Sequence, residues 1–293
     1  MAERREGPTI PAGELLARAR ERLAAAPFAP PRREALLLLG HVLGLTEAQV
    51  LARPERAVPA AATTRFERLL ERRLGGEPVA YLTGSREFYG RRFAVDERVL
   101  IPRPETEHLV EAALAAPLPP RPRILDLGTG SGCLAVTLAL ELPGARVLAT
   151  DASPAALAVA AANARRLGAG GVRFAAADRY AGLELAAFDL VVANPPYIDP
   201  AEAGSLSPEI TRFEPHGALF AADRGEAMLG ELIAGAAGLS PGASLVLEIG
   251  RGQLPAIERH TVPSVLHVAA AIEDYAGIPR VVRLERTEEA DRG

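Results

Sequence analysis

Asn194, Pro195, Pro196 and Tyr197 follow a short apolar run in this 293-residue chain. Together they offer hydrogen-bond acceptors while withholding donors. Proline has no backbone N–H, and its ring fixes φ. The Asn194 side-chain oxygen and the Pro195 carbonyl can therefore both face an incoming NH2 group with no donor beside them. A planar NH2 held by its two hydrogens turns its lone-pair face to whatever lies above it. Tyr197 can stack on the flat group that carries the amine. Methylating an amide or aminopurine nitrogen requires that arrangement. The plain reading is a proline turn that ends a strand, since X-Pro favours extended or turn backbone.

A second constellation lies upstream. Gly128, Thr129, Gly130, Ser131 and Gly132 follow Asp126-Leu127 and precede Cys133. Glycines let a ligand approach the backbone closely, and a helix start offers unpaired N–H groups to an anion. The spacing is G-x-G-x-G, not the dinucleotide pattern G-x-G-x-x-G, and a structural turn is the competing reading. Asp151 stands 23 residues beyond Gly128, close to the place where a carboxylate receives a ribose diol. Asp178 could accept from an adenine amine. Either acid alone is as readily a helix cap or a solvated loop residue. S-adenosylmethionine fits the set: its carboxylate on backbone N–H groups, its ribose on Asp151, its sulfonium methyl facing Asn194.

The elements that must position these residues alternate between strand and helix from Arg123 onward. Ile124–Leu127, Val147–Thr150, Val172–Ala176, Phe188–Ala193 and Ser244–Ile249 read as strands, with Val265–Ala270 and Arg280–Glu285 as late ones. Cys133–Leu140 reads as a helix, and Ser153-Pro154 caps and opens another that ends at Gly168. Such alternation means an α/β fold with a parallel sheet covered on both faces. In it ligands bind beyond the carboxyl ends of the strands, where Gly128, Asp151, Asp178 and Asn194 fall. The first 76 residues read as short helices, among them Glu14–Arg20, Glu34–Leu39 closed by Gly44, and Thr63–Leu74 closed by Gly75-Gly76. Residues 77–122 form a linker with a hairpin at Phe88-Tyr89-Gly90 and a joint at Pro117–Pro122. Residues 123–293 make the third part.

Composition excludes several classes. All 33 basic residues are arginine, so neither a Schiff-base lysine nor a phosphate-loop lysine exists. One cysteine, Cys133, rules out an internal disulfide framework and a thiolate metal cluster; it reads as a small buried residue. The five histidines show no metal-ligand spacing, and no metal is expected. No run approaches the roughly 18 apolar residues of a membrane span, and Met1–Pro11 lacks the apolar core of a leader. A cytoplasmic protein without a membrane partner is expected. The net charge of −4 argues against stable binding of nucleic acid. Residues 1–80 hold 13 Arg against 10 Glu, a mildly basic balance that suits solvated helices better than an RNA contact.

The chain resembles the release factor glutamine methyltransferases, the HemK/PrmC family. The likeness rests on Gly84-Ser85-Arg86-Glu87-Phe88-Tyr89-Gly90, Leu100-Ile101-Pro102-Arg103-Pro104-Glu105-Thr106-Glu107, Asp126 to Gly132, Asn194 to Asp199, and Arg212-Phe213-Glu214-Pro215. It implies a class I Rossmann-like methyltransferase domain with a seven-stranded, mostly parallel sheet, a small all-α N-terminal domain and a β-hairpin linker. It also implies methyl transfer from S-adenosylmethionine to the glutamine amide of the Gly-Gly-Gln motif in class 1 peptide chain release factors. Gly128 to Gly132, Asp151 and Asn194 would then bind the cofactor, and Asn194 to Tyr197 the glutamine. Relatives often carry an aromatic residue after Asp178 that packs on the adenine. Arg179 stands there, followed by Tyr180, so an Arg plane would stack in its place or Tyr180 would swing in.

Other residues allow two readings each. Phe88 walls the pocket or is plain core; Arg103, Glu105 and Glu107 order a loop over the cofactor or pair on the surface. Arg212 and Glu214 line the substrate entrance or pair on the surface. Three rival functions share the tetrapeptide: adenine methylation on DNA or RNA, glutamine methylation of a ribosomal protein, and a non-catalytic cofactor scaffold. The first needs a basic, aromatic region to extract a base, which 4% aromatic content and no tryptophan oppose. The third would leave the tetrapeptide free to decay, yet it is intact.

Overall fold

A computed structural model describes residues 9–26, 30–222, 225–274 and 276–287. The stretch read above for a leader lies, up to residue 8, outside them. The chain forms two compact units. One comprises residues 1–85 with Ser207–Phe213, and the other Arg86–Leu206 with residues 214–293.

In the first unit, helices α1 (Ala12–Ala24), α2 (Pro31–Leu43), α3 (Glu47–Leu51), α4 (Ala60–Leu74) and α5 (Val79–Thr83) surround one apolar core. A two-residue antiparallel pair, β1 (Ile10–Pro11) with β2 (Ala57–Val58), joins them. Helix α4 buries Ala62, Phe66, Leu70 and Arg73, one stripe at helical spacing. Pro31 opens α2 and Gly44 closes it in the left-handed region at φ 66°. The unit extends past residue 76 because α5 buries Leu82 in the same core.

The stripe on α4 ends in a charge. Arg73 is 1% exposed, so its guanidinium must be paired. Its Nε and Nη2 donate to the two carboxylate oxygens of Glu34 on α2, at 2.9 and 2.8 Å. Nη1 lies 2.9 Å from Glu209 on α9 (Pro208–Phe213).

The second unit begins with a hairpin, β3 (Ser85–Phe88) and β4 (Arg91–Ala94). Tyr89 and Gly90 turn it at φ 49° and 68°, the double positive φ that a tight hairpin demands. Helix α6 (Glu107–Leu114) follows, then the alternating stretch. It runs β5 (Arg123–Leu127), α7 (Cys133–Glu141), β6 (Arg146–Asp151), α8 (Pro154–Leu167), β7 (Arg173–Ala176), β8 (Leu190–Ala193), α10 (Glu226–Ala236), β9 (Ser244–Glu248), α11 (Leu254–His260), β10 (Leu266–Glu273) and β11 (Pro279–Arg286). Seven strands form one sheet in the order β10-β11-β9-β8-β5-β6-β7. The β9-β8-β5-β6-β7 part is parallel, and the late hairpin adds two antiparallel strands. Helix α8 has the expected ends: the Ser153 side chain accepts from the Ala156 N–H, and Gly168 closes it at φ 84°.

Side-chain alternation sorts the sheet into two cores. Ile124, Leu190, Val192 and Val246 face α6 and α7, while Leu125, Val191, Leu245 and Leu247 face α10 and α11. All residues of β8 and β9 are buried, the near-continuous apolar run of strands covered on both sides.

Register then determines what sits at the carboxyl edge. Leu127 pairs with Thr150 and with Ala193, and Ala193 pairs with Leu247. One step further along, Asp151, Gly128, Asn194 and Glu248 therefore stand in a row on β6, β5, β8 and β9. Adjacent strands lie about 4.8 Å apart.

Removing Glu34 tests the buried pair in the first unit. Glu34→Ala should destabilise that unit by about 3–5 kcal/mol, because it leaves a guanidinium buried and short of its main partner. Urea unfolding of the full chain reads this out. A loss below about 1 kcal/mol would show that Arg73 relaxes to solvent.

Candidate active site

The glycine turn is built on a buried acid. Asp126 is fully buried, and its Oδ2 accepts from the Thr129 hydroxyl at 2.6 Å and the Ala135 N–H at 3.1 Å. Its Oδ1 has no partner. Burial pushes this carboxyl up to about 7; the Thr129 and Ala135 bonds oppose the shift and the neighbouring Asp151 adds to it. Gly128, Gly130 and Gly132 all have positive φ, at 68°, 54° and 81°. At Gly132 a Cβ would stand 3.0 Å from the Ala160 side chain, so there glycine is required by close helix approach as well as by conformation.

Asp151 does more than wait for a ribose. Its Oδ2 accepts from the Gly130 N–H at 2.9 Å and its Oδ1 from the Ser153 N–H at 2.8 Å. The Thr129 and Gly132 N–H groups are likewise bonded within the edge, to the Thr150 and Thr129 carbonyls. Three turn N–H groups thus hold the turn's own shape. Ser131 is buried, and its carbonyl accepts from Asn163 at 2.9 Å. The same Asn163 side chain also bonds both the N–H and the carbonyl of Ala94 on β4. It therefore ties hairpin, glycine turn and α8 together. Cys133 opens α7, and desolvation pushes its thiol up to about 12.

Across the row, Pro195 is buried, and Asn194, Pro196 and Tyr197 are half-buried. The Asn194 Nδ2 donates to the Thr106 hydroxyl at 3.2 Å, so that side chain's oxygen is the end left for a ligand. The Tyr197 hydroxyl donates to Glu248 Oε1 at 3.3 Å. Burial, with the adjoining Glu248 carboxylate, raises the phenol well above its ordinary range. Glu248 is 2% exposed and its own carboxyl is raised by burial, with the Thr106 and Tyr197 hydroxyls opposing that. Past the tetrapeptide, Ile198 bridges to Phe220. Gly225 lies so close that a Cβ there would stand 2.6 Å from the Tyr197 carbonyl oxygen. The Gln253 Nε2 reaches that carbonyl at 3.4 Å, and its Oε1 accepts from the Gly250 N–H.

Other expected residues lie further out. Asp178 and Arg179 are exposed beyond β7. Arg179 has φ 53°, and its guanidinium pairs with Asp178 at 3.0 Å and Glu231 at 2.5 Å. Tyr180 cannot swing toward a ligand: it packs in the core, and its hydroxyl donates to the Leu232 carbonyl at 2.9 Å. Phe88 is core, edge-on to Phe93. Glu214 is buried and pairs with Arg103, while also accepting from the Ile101 N–H. Arg212 belongs to the first unit and donates to the Gly75 carbonyl. Glu107 accepts from the Tyr89 N–H, and Glu105 is exposed.

Sequence reasoning missed Asn163, Glu248 and Gln253, and gave Thr106 no role. Glu248 carried a signal: a carboxylate on the apolar strand Ser244–Ile249. Among the described residues no group of three His, Cys, Asp or Glu side chains could hold a metal, and no helix is long and apolar enough to cross a membrane.

A seven-stranded sheet of this order, with a glycine turn at its carboxyl edge, is the Rossmann-like fold of S-adenosylmethionine-dependent methyltransferases. A solved methyltransferase from Pyrococcus furiosus shares the fold, with TM-score 0.51 at 17% identity over 76% of this chain and 100% of that one. Residues 14–84 match the PrmC N-terminal domain, and residues 106–210 the methyltransferase small domain. The release factor glutamine methyltransferase of Koribacter versatilis (strain Ellin345) is 43% identical over 89% of this chain and 93% of its own. That of Bordetella pertussis (strain Tohama I) is 47% identical over 86% and 93%. The chain belongs to the release factor glutamine methyltransferase family. Its residues fit the cofactor: an orphaned buried carboxylate oxygen beneath the turn suits a cationic ligand, and the space at Gly128 is open, a Cβ there meeting nothing within 4 Å.

Two measurements probe this edge. A carboxyl raised from 3.8 to about 7 binds its proton more tightly folded than unfolded. Its stabilising effect is full below the unfolded value and is lost as pH rises through about 7. Asp126→Asn removes that titration, so the stability of the wild type relative to the variant should fall between about pH 4 and 7. A flat difference in urea unfolding would mean the acid is ionised throughout. Gly225→Ala should slow methyl transfer by displacing Tyr197 while leaving cofactor affinity within about twofold; equal losses in both would show general disorder of the edge.

Proposed function

We propose that the chain methylates the side-chain amide nitrogen, N5, of the glutamine in the Gly-Gly-Gln motif of class 1 peptide chain release factors. The observation that carries this reading is the orientation of Asn194. With Nδ2 bonded to Thr106, Oδ1 and the Pro195 carbonyl are two acceptors for the two hydrogens of a carboxamide. Membership of the family supports the release factor as the partner.

In this reading Gly128 to Gly132, Asp151 and Asn194 hold S-adenosylmethionine. Arg179 flanks the adenine, its plane fixed by Asp178 and Glu231. The cofactor supplies a methyl group already activated on a sulfonium. What the protein must overcome is the weak nucleophilicity of an amide, whose conjugation resists rotation by about 18–20 kcal/mol. Asn194 and Pro195 draw on the amide hydrogens, leave partial negative charge on nitrogen and aim its π face. Tyr197 holds the flat group from one side. Near-attack positioning of this kind contributes about 7–11 kcal/mol, and fixed dipoles add to it. The proton leaves during or after transfer, when the nitrogen has become acidic.

The test uses labelled cofactor and a purified release factor, beside the same factor carrying Gln→Ala in its Gly-Gly-Gln loop. Label should enter the first and not the second. Label on DNA, RNA or a ribosomal protein instead would favour the rival substrates. Asn194→Ala should lower turnover by about 100-fold or more with cofactor binding kept in part. Asp151→Ala should act mainly on cofactor affinity by calorimetry, and an unchanged affinity would remove the ribose assignment.

A further inference from the structure

We infer that Asn163 is a positioning residue for the cofactor: it fixes the Ser131 carbonyl, and with it the glycine turn, against the end of β4. This rests on the reading of Gly128 to Gly132 as the turn that receives S-adenosylmethionine. A turn that offers its backbone to a ligand binds more tightly when it is already shaped, because ordering it on binding costs affinity. Asp126 and Asp151 hold Thr129 and Gly130. Ser131 is held by Asn163, which lies outside the turn on α8.

A carboxamide has two hydrogens on nitrogen and two lone pairs on oxygen, and at Asn163 all four are engaged. Nδ2 donates to the Ser131 carbonyl at 2.9 Å and to the Ala94 carbonyl at 2.9 Å. Oδ1 accepts from the Ala94 N–H at 2.7 Å and from the Arg166 guanidinium at 3.0 Å. The two bonds to Ala94 decide which way the amide faces. Ala94 offers one donor and one acceptor, and both are satisfied when Oδ1 meets the N–H and Nδ2 meets the carbonyl. The second Nδ2 hydrogen is then committed to Ser131.

Helix geometry explains the reach. Residues three apart on a helix are neighbours on its surface, and Ala160 precedes Asn163 by three. At Ala160 the helix comes so close that a Cβ on Gly132 would stand 3.0 Å from its side chain. Helix α8 thus touches the turn at Gly132 and bonds it at Ser131. Arg166, three residues further on, donates to the Arg92 carbonyl of β4. Asn163 is fully buried, and a buried partner left unpaired by its loss keeps the full cost of desolvation. One side chain therefore joins the order of the turn to the order of the β4 end. Coupling between two sites is reciprocal, so a cofactor that settles on the turn also steadies Ala94.

The test is hydrogen exchange at single amides of the full chain, with and without saturating S-adenosylmethionine and without release factor. In the wild type the cofactor should slow exchange at Gly130 and, through Asn163, at Ala94, each by about fivefold or more. Asn163→Asp keeps an acceptor for the Ala94 N–H and for Arg166 but, when ionised, has no hydrogen to give Ser131. In that variant the slowing at Ala94 should vanish while that at Gly130 persists. Calorimetry should show cofactor affinity about tenfold weaker, with kcat at saturating cofactor within about threefold of wild type. A variant that loses stability to urea yet binds cofactor as the wild type does would make Asn163 a purely structural residue and overturn the inference. Should Asn163→Asp not fold, the wild type decides: slowing at Gly130 with none at Ala94 is equally fatal. If calorimetry shows binding but neither amide slows, the glycine turn is not the cofactor site, and the inference falls with that reading.

Discussion

Hydrogen bonds have direction, and the site depends on keeping one of them from reversing. Two oxygens facing an amine make a cradle, whereas an oxygen and an NH2 do not. The difference between those states at Asn194 is a rotation that leaves the shape of the side chain almost unchanged, so packing alone discriminates poorly between them. Discrimination has to come from polar neighbours of fixed sign. At Asn194 the polar neighbour is Thr106, whose hydroxyl accepts from Nδ2 at 3.2 Å. Next along the sheet edge Glu248, its carboxyl raised by burial, accepts from the Tyr197 hydroxyl at 3.3 Å. Polar networks under low dielectric specify a single arrangement when their members are satisfied.

The sheet makes that network possible by register. Asp151, Gly128, Asn194 and Glu248 come from four strands widely separated in sequence, yet pairing sets them one step beyond the same rung. Because the side-chain period of a strand is two, a slip of one residue on β8 would turn Asn194 to the opposite face. The full burial of Leu190 to Ala193 prevents such a slip, since it would disrupt both apolar layers. The cores on the two sides of the sheet are thus the reason that the polar edge is accurate. On the glycine-turn side the same economy holds. Asp126 and Asp151 fold the turn by accepting its hydroxyl and N–H groups, so its shape is set by carboxylates.

The parts legible in the sequence were those encoded by local rules. Strand and helix alternated with clear apolar periodicity, and Ser153-Pro154 and Gly168 marked both ends of α8. The first unit was legible as short helices because its stripes are regular. Less visible was anything that depends on long-range pairing. Nothing in the stretch Ser244–Ile249 says that Glu248 meets Tyr197, which precedes it by 51 positions. Asn163 looked like one polar residue on an alanine-rich helix, although it bonds two other segments. Tyr180 looked free to reach a ligand, but α10, whose sequence lies some fifty residues later, covers it. The membership of Ser207–Phe213 in the first unit was equally hidden, because it arises from Glu209 meeting a buried arginine.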